Sequence, residues 1–122
     1  MVLLSEAKKR LIKLFPNNEV LMNFIDSDIE VSLSYVEENF KQIIENTNDL
    51  DHHQLRLMID FKETDNLFYG AVVTRINNRI LPVKLRLSFL NREEASLYFQ
   101  EGRKINIVDP QVIAKGIISR IF

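Results

Sequence analysis

Asp51-His52-His53 is the one histidine cluster in the chain. Imidazole is a common ligand for zinc, and it also moves protons near neutral pH. Adjacent side chains on an extended segment point to opposite sides, so the two rings do not converge on one metal ion. No further ligands at a recognisable spacing accompany them. We therefore interpret the pair as part of a surface linker and predict no metal site.

Two pairs of neighbouring glutamates, Glu37-Glu38 and Glu93-Glu94, are the other candidates for catalysis. A catalytic carboxylate pair must face one pocket, about 5 to 10 Å apart, and adjacency in sequence does not indicate this. The sequence has no Gly-x-Ser-x-Gly elbow and no Gly-x-x-x-x-Gly-Lys-Ser/Thr phosphate loop. It also has no cysteine for a thiol nucleophile, a disulfide or a thiolate ligand. We predict that the protein is not an enzyme, does not hydrolyse GTP and holds no cofactor.

Binding is the remaining class of function, and the uneven charge of the chain suggests one kind of partner. The net charge is only minus one, but residues 17–51 carry nine acids against Lys41 alone. Residues 1–16 carry four bases against one acid, and residues 52–122 carry eleven bases against seven acids. The acidic segment predicts contact with a basic protein surface, with plain solvation or attraction within the chain as the alternative. The residues expected to contact the partner are Glu30, Glu37, Glu38 and Glu45.

A second binding hypothesis concerns nucleic acid. Four bases alternate with apolar residues on two predicted strands, where they would form an outward basic strip. Two aromatic side chains near it are candidates for base stacking. The alternative is that bases at alternate positions only keep a half-exposed strand soluble. The residues of this hypothesis are Phe68, Tyr69, Arg75, Arg79, Lys84 and Arg86.

The elements that position these groups change in character near residue 51. Upstream, apolar residues recur at helical spacing, which predicts three helices over residues 5–15, 19–26 and 29–46. The third would follow a capping box formed by Ser27 and Glu30. Residues 29–35 also alternate between apolar and polar side chains. A strand to about Ser34, followed by a shorter helix, is therefore our second interpretation.

Downstream of residue 51 the period of the apolar residues becomes two, which is typical of strands with one buried face. The predicted strands are residues 55–62, 67–76, 79–90, 103–108 and 111–122. Asn77-Asn78 is expected to form a tight hairpin turn, because asparagine tolerates positive φ. Residues 91–98 fit either a short helical turn or a strand. Several short strands without a long helix between them indicate a small antiparallel barrel.

The stretch FQEGRKINIVDPQVIAKGIISRIF, residues 99–122, resembles the end of the third domain of elongation factor Tu and its relatives. In that family a glycine after an acid turns the chain into a strand of the form F-x-I, and a strand of the form V-G-x-G-V-V-x-x-I closes a β-barrel. The matching positions are Glu101, Gly102, Ile105, Ile107 and Gly116. Ala114 stands where the family has the first glycine of the closing strand. The resemblance implies two inward isoleucines, a close backbone approach at the second glycine, and a barrel that acts as a binding module.

Together these patterns predict an α+β fold in which N-terminal helices pack on a small antiparallel barrel resembling a translation-factor barrel. A helical part, residues 1–50, and a barrel part, residues 51–122, would form one folding unit. We expect a non-catalytic protein that acts through protein-protein contact, as an inhibitor or a toxin-immunity protein. An RNA- or tRNA-binding accessory protein is the alternative. No stretch has the length of a membrane span or a secretory signal, which predicts a cytoplasmic location without membrane contact.

Overall fold

The computed structural model describes residues 27–47, 55–62 and 67–122. Its strands are β1 Ile29–Val36, β2 Arg56–Phe61, β3 Phe68–Asn78, β4 Val83–Phe89, β5 Lys104–Val108 and β6 Val112–Ile121. Its helices are α1 Glu38–Asn46 and α2 Arg92–Ala95, the latter continued by a 3-10 turn over Ser96–Tyr98. The strands close into one antiparallel barrel in the order β1-β4-β3-β2-β5-β6, with β6 paired back to β1. The predicted antiparallel barrel is therefore confirmed.

The predicted helix over residues 29–46 is wrong in its first half. That half is β1, in which Ile29, Val31 and Leu33 are fully buried and alternate with more exposed residues. β1 pairs with β4 on one side and β6 on the other, so long-range pairing overrides the helical spacing. Our second interpretation, a strand followed by a shorter helix, is the correct one. The barrel thus begins well upstream of residue 51.

Ser27 and Glu30 do not form the predicted capping box. The Ser27 hydroxyl instead lies 2.7 Å from the Thr74 hydroxyl, and Glu30 is a residue of β1. The other two predicted helices, over residues 5–15 and 19–26, lie outside the described residues, as does the histidine pair.

One end of the barrel, the α1 end, lies where β1 finishes and α1 begins. Glu37 caps α1: its carboxylate accepts hydrogen bonds from the backbone N–H groups of Asn39 and Phe40, at 3.1 and 3.3 Å. Phe40 and Ile44 are the buried residues of α1, and both belong to the core. The Arg79 guanidinium, from the loop between β3 and β4, donates to the Ile44 carbonyl.

The opposite end, the α2 end, is filled by aromatic side chains. Their ring centroids lie 5.3 to 6.3 Å apart, within the range for favourable aromatic pairs. The five residues are Phe61, Tyr69, Phe89, Tyr98 and Phe99. Two of them, Tyr98 and Phe99, come from the segment after α2, so this helical connection helps to close the core. The structure thus resolves residues 91–98 as a helical turn rather than a strand.

The predicted tight turn at Asn77-Asn78 is wrong. Both residues belong to β3, and Asn78 pairs with Lys84 of β4. The chain reverses over residues 79–82 instead, where the Leu81-Pro82 peptide bond is cis. The Asn78 side-chain amide donates to the Pro82 carbonyl at 2.7 Å, which satisfies an acceptor in this loop.

The inward isoleucines and the close approach at the second glycine are confirmed. Ile105 and Ile107 of β5 are buried, and Gly116 of β6 pairs with Leu33 of β1. A β-carbon added at Gly116 would lie 2.1 Å from the Ser32 carbonyl oxygen. This is a severe steric clash, so only glycine fits at this position. Gly102, with φ of 86°, makes the turn before β5.

Candidate nucleic-acid interface

Basic residues are concentrated on the outer surface of five neighbouring strands. Within the part of the chain that the structure describes, β1, β3, β4, β5 and β6 carry six bases and a single acid. The bases are Arg75, Lys84, Arg86, Lys104, Lys115 and Arg120, and the acid is Glu30. We call these seven residues the basic wall. Alternation along each strand directs apolar residues into the core, which leaves the charged positions on the outside.

Strand register aligns part of the basic wall in one row across four strands. Arg75 of β3 pairs with Arg86 of β4, Arg86 with Glu30 of β1, and Glu30 with Arg120 of β6. Neighbouring strands lie about 4.8 Å apart, so the row is about 14 Å long. Lys84 is the next outward residue of β4 and lies beside this row. The row therefore places three guanidinium groups and one carboxylate on the outer surface of four consecutive strands of the barrel.

Glu30 organises the row through its two carboxylate oxygens. Oε2 accepts a hydrogen bond from the Asn77 amide at 2.7 Å and lies 4.0 Å from Nε of Arg86. Oε1 accepts from the Ser119 hydroxyl at 3.1 Å. Because both oxygens have partners within the barrel, this carboxylate lies beside Arg86 and does not form part of a free acidic surface.

Phe122 adds an aromatic ring to the row. The guanidinium carbons of Arg86 and Arg120 lie 4.7 and 4.8 Å from the ring centroid, within range of a cation–π contact. Phe122 as a residue keeps 42% of its surface exposed. The Phe122 N–H donates to the Asp28 carbonyl at 3.0 Å, which holds the ring beside β1. Two planar guanidinium groups are thus ordered against one ring.

The structure brings only part of the predicted basic strip together. Arg75, Lys84 and Arg86 share the wall. Arg79 lies in the loop at the α1 end, in contact with the carbonyl of Ile44. Phe68 lies at the other end of β3, seven residues and about 23 Å from Arg75. Sequence reasoning missed Arg120 and Phe122, although an arginine two residues before an aromatic residue on a closing strand is a visible signal.

Tyr69 is the second aromatic residue of that prediction, and it faces the core with only 6% of its surface exposed. Its hydroxyl donates to Oε1 of Glu94 at 3.4 Å. Burial raises the pKa of the Tyr69 hydroxyl above its usual 10.0, and the nearby Glu94 carboxylate raises that pKa further. The ring packs in the aromatic cluster rather than on the outer surface.

The four acids expected to contact a partner do not form one surface. Glu30 belongs to the basic wall, and Glu37 uses its carboxylate to cap α1. Glu38 and Glu45 are exposed on α1. Glu45 follows Glu38 by seven positions, which places the two on one face of the helix.

A scan of the chain against protein-family models finds no match, and a search of curated proteins finds no match either. Among the described residues, no group of three or more histidine, aspartate or glutamate side chains is arranged to hold a metal ion. Within the same ranges, no helix combines the length and apolar character needed to cross a membrane.

Proposed function

We propose that the protein is a non-catalytic RNA-binding protein that holds a sugar-phosphate backbone against its basic wall. One observation supports this proposal: five adjacent strands carry six bases but only one acid on their outer surface. Strand register also aligns three of the arginines in one row. Neutralising phosphates releases condensed counterions, which supplies most of the affinity in backbone binding. Arginine is suited to this role because its planar fork matches phosphate geometry.

Two arginine side chains of the row are already ordered, which favours binding of RNA. Contact with Phe122 and Glu30 restricts the Arg86 guanidinium before any ligand arrives, and Arg120 is restricted by the same ring. Side chains that are already ordered lose less conformational entropy on association. The wall offers no helix or ribbon shaped to enter a groove, so we expect contacts to the backbone with little sequence preference. The resemblance to translation-factor barrels, some of which meet RNA, supports RNA over DNA.

The test measures binding of a fluorescently labelled single-stranded RNA by anisotropy between about 50 and 200 mM salt. The double variant Arg75→Gln/Arg120→Gln removes two exposed charges from the ends of the row. We expect at least tenfold weaker binding and a plot of log K against log salt that is shallower by about 1.4, at roughly 0.7 per lost phosphate contact.

The matched control is Arg56→Gln, which removes an exposed base from β2, the strand outside the wall. It should bind RNA within about twofold of the wild type, because its charge does not face the row. Absence of salt-dependent RNA binding, or equal losses in the control and the double variant, would contradict the proposal.

Contact with a basic protein, as an inhibitor or immunity protein would make it, is a second candidate function. The observation that favours it is the exposed pair Glu38 and Glu45 on one face of α1. The charge reversal Glu38→Lys/Glu45→Lys should abolish capture of such a partner in a pull-down while leaving RNA binding no weaker. A partner still captured by the reversed protein would argue against this surface.

A further inference from the structure

The α2 end carries a groove of about 300 Å³ that no part of the proposed RNA site uses. Its apolar lining includes Leu67, Phe68 and Leu90, whose side chains are 51%, 49% and 67% exposed. Leu90 lies over Gly70, where an added β-carbon would come within 3.0 Å of its Cδ1 atom. Three large apolar side chains around one depression mark a contact surface rather than scattered exposure.

One rim of the groove is acidic, and its charge is held in place. The Glu94 carboxylate accepts hydrogen bonds from the Asn91 amide at 2.8 Å and from the Tyr69 hydroxyl at 3.4 Å. Glu93 is exposed next to it in α2. The base of α2, Arg92, is directed to Asp28 at 2.7 Å and so does not neutralise this rim. The groove therefore fits a ligand that is apolar on one side and positively charged beside it.

Asp28, next to the first described residue after residues 1–26, lies at this same end of the barrel. Asp28 is buried there, accepting hydrogen bonds from the Phe89 N–H at 2.8 Å and from Arg92. Ser27 contacts Thr74 of β3. The eleven residues from 16 to 26 span up to about 36 Å when extended, enough to reach from Ser27 to the groove.

Residues 5–15 have the matching chemistry. Their apolar residues, Ala7, Leu11, Leu14 and Phe15, recur at helical spacing, as anchors that enter a groove do. The same segment carries Lys8, Lys9, Arg10 and Lys13 against Glu6 alone. We infer that residues 5–15 bind intramolecularly in the α2-end groove, with their apolar face on Leu90 and Phe68 and their bases beside Glu93 and Glu94. This inference stands independently of RNA binding.

A competing place for the segment is the groove at the α1 end, of about 400 Å³, which has Glu37 and Asp109 in its lining. It lies at the opposite end of the barrel from Ser27, and the Glu37 carboxylate is already used to cap α1. The α2-end groove is therefore the favoured site, because it lies at the same end of the barrel as Ser27 and its rim has acidic side chains that do not cap a helix. Met58, 43% exposed in that other groove, provides a matched control position.

Disulfide trapping in the full-length chain tests the inference, because the sequence has no cysteine of its own. Leu90→Cys is combined with Leu11→Cys in one variant and with Leu14→Cys in another, since only Cα atoms about 4.4 to 6.8 Å apart are joined without strain. The control combines Met58→Cys with Leu11→Cys. We expect a monomeric cross-link in at least one Leu90 variant, forming at least tenfold faster than in the control.

Exchanging the charges of the groove and the segment tests whether their electrostatic attraction, and not only their closeness in the chain, determines the rate of cross-linking. Glu93→Lys/Glu94→Lys should slow the cross-link at least threefold, and adding Lys9→Glu/Lys13→Glu should restore it. A cross-linked dimer would assign the groove to a second copy of the chain. A dimer, a faster reaction at Met58, or no cross-link in either Leu90 variant would each overturn the inference.

Discussion

The basic wall and the two ends of the barrel carry opposite charge. Six bases and Glu30 lie on the wall, whereas α1 and α2 carry exposed acids at the ends, Glu38 and Glu45 in one and Glu93 and Glu94 in the other. Neighbouring strands place charges of the same sign side by side, so their fields add over the surface. The net charge of minus one conceals this separation. The electrostatic potential of each surface therefore depends on where the strands and helices place each charge, and not on the total charge of the chain.

The two regions also differ in what holds them together. On the wall, β1 and β6 approach so closely that Gly116 lies against the backbone of Ser32 and Leu33. At the α2 end, contacts are made between side chains, such as the rings of Phe61 and Tyr98 with centroids 5.6 Å apart. Backbone contacts have little freedom to relax, whereas side chains change rotamer. We therefore expect the β1–β6 backbone contact beneath the wall to tolerate substitution less well than the α2 end.

The largest expected effect tests this difference directly. Gly116→Ala places a methyl group 2.1 Å from the Ser32 carbonyl oxygen, so β1 and β6 must separate. We expect the free energy of unfolding to fall by more than about 3 kcal/mol, or no cooperative unfolding at all. Urea denaturation followed by circular dichroism measures this change.

Gly70→Ala is the matched control at the α2 end. The new methyl group meets Cδ1 of Leu90 at 3.0 Å, and this exposed side chain is able to move. A cost below about 1 kcal/mol is expected. Equal costs at the two glycines would remove the distinction between a wall held by backbone and an end held by side chains.

Asp28, which connects β1 to α2, is expected to give the next largest effect on stability. Asp28, only 6% exposed, precedes β1 of the wall and accepts hydrogen bonds from Phe89 and from Arg92 of α2. Asp28→Ala leaves the Phe89 N–H without this acceptor, so we expect a loss of about 2 to 3 kcal/mol in urea denaturation. Glu45→Ala, at an exposed acid of α1, should change stability by less than about 0.5 kcal/mol. A loss no larger than that of the control would show that this connection between β1 and α2 contributes nothing to the barrel.

Most of the barrel could be predicted from sequence, because β2 and β4 alternate too regularly for any other element. β1 could not, since its residues 29–36 fit both a strand and the start of a helix until β4 and β6 supply partners. The same limit applies to Arg120, which enters the row only through its register with Glu30, beside a bulge. Register depends on contacts distant in sequence, which periodicity within one segment does not contain.

A bulge also explains why Tyr69 and Arg75 separate. Arg75 follows Tyr69 by six positions, an even number, so a regular strand would place both side chains on one face. The register of β3 against β4 shifts between Val73 and Arg75, which leaves Val73 and Thr74 both buried. Tyr69 therefore faces the core and Arg75 faces outward. The groove at the α2 end was equally hidden, because Leu67 and Leu90 line one groove only after β3 pairs with β4.

The smallest effect concerns the α2 end alone and appears only at high pH. In the folded protein, burial and Glu94 raise the pKa of the Tyr69 hydroxyl above 10.0, so the neutral form is favoured. As the pH rises past about 10, the unfolded chain loses this proton first, which lowers the free energy of unfolding. The stability that the raised pKa of Tyr69 contributes is fully present below about pH 10. It is lost as the pH rises through the pKa of Tyr69 in the folded protein.

Tyr69→Phe removes the ionisable group but keeps the ring, so it should lose less stability than the wild type between about pH 8 and pH 11. Glu94→Gln should weaken this difference without abolishing it, because burial is the larger cause of the raised pKa. Urea denaturation at a series of pH values gives the comparison. If the free energies of unfolding of Tyr69→Phe and the wild type changed equally with pH, water would reach the Tyr69 hydroxyl in the folded protein. The α2 end would then be less tightly closed than its aromatic packing indicates.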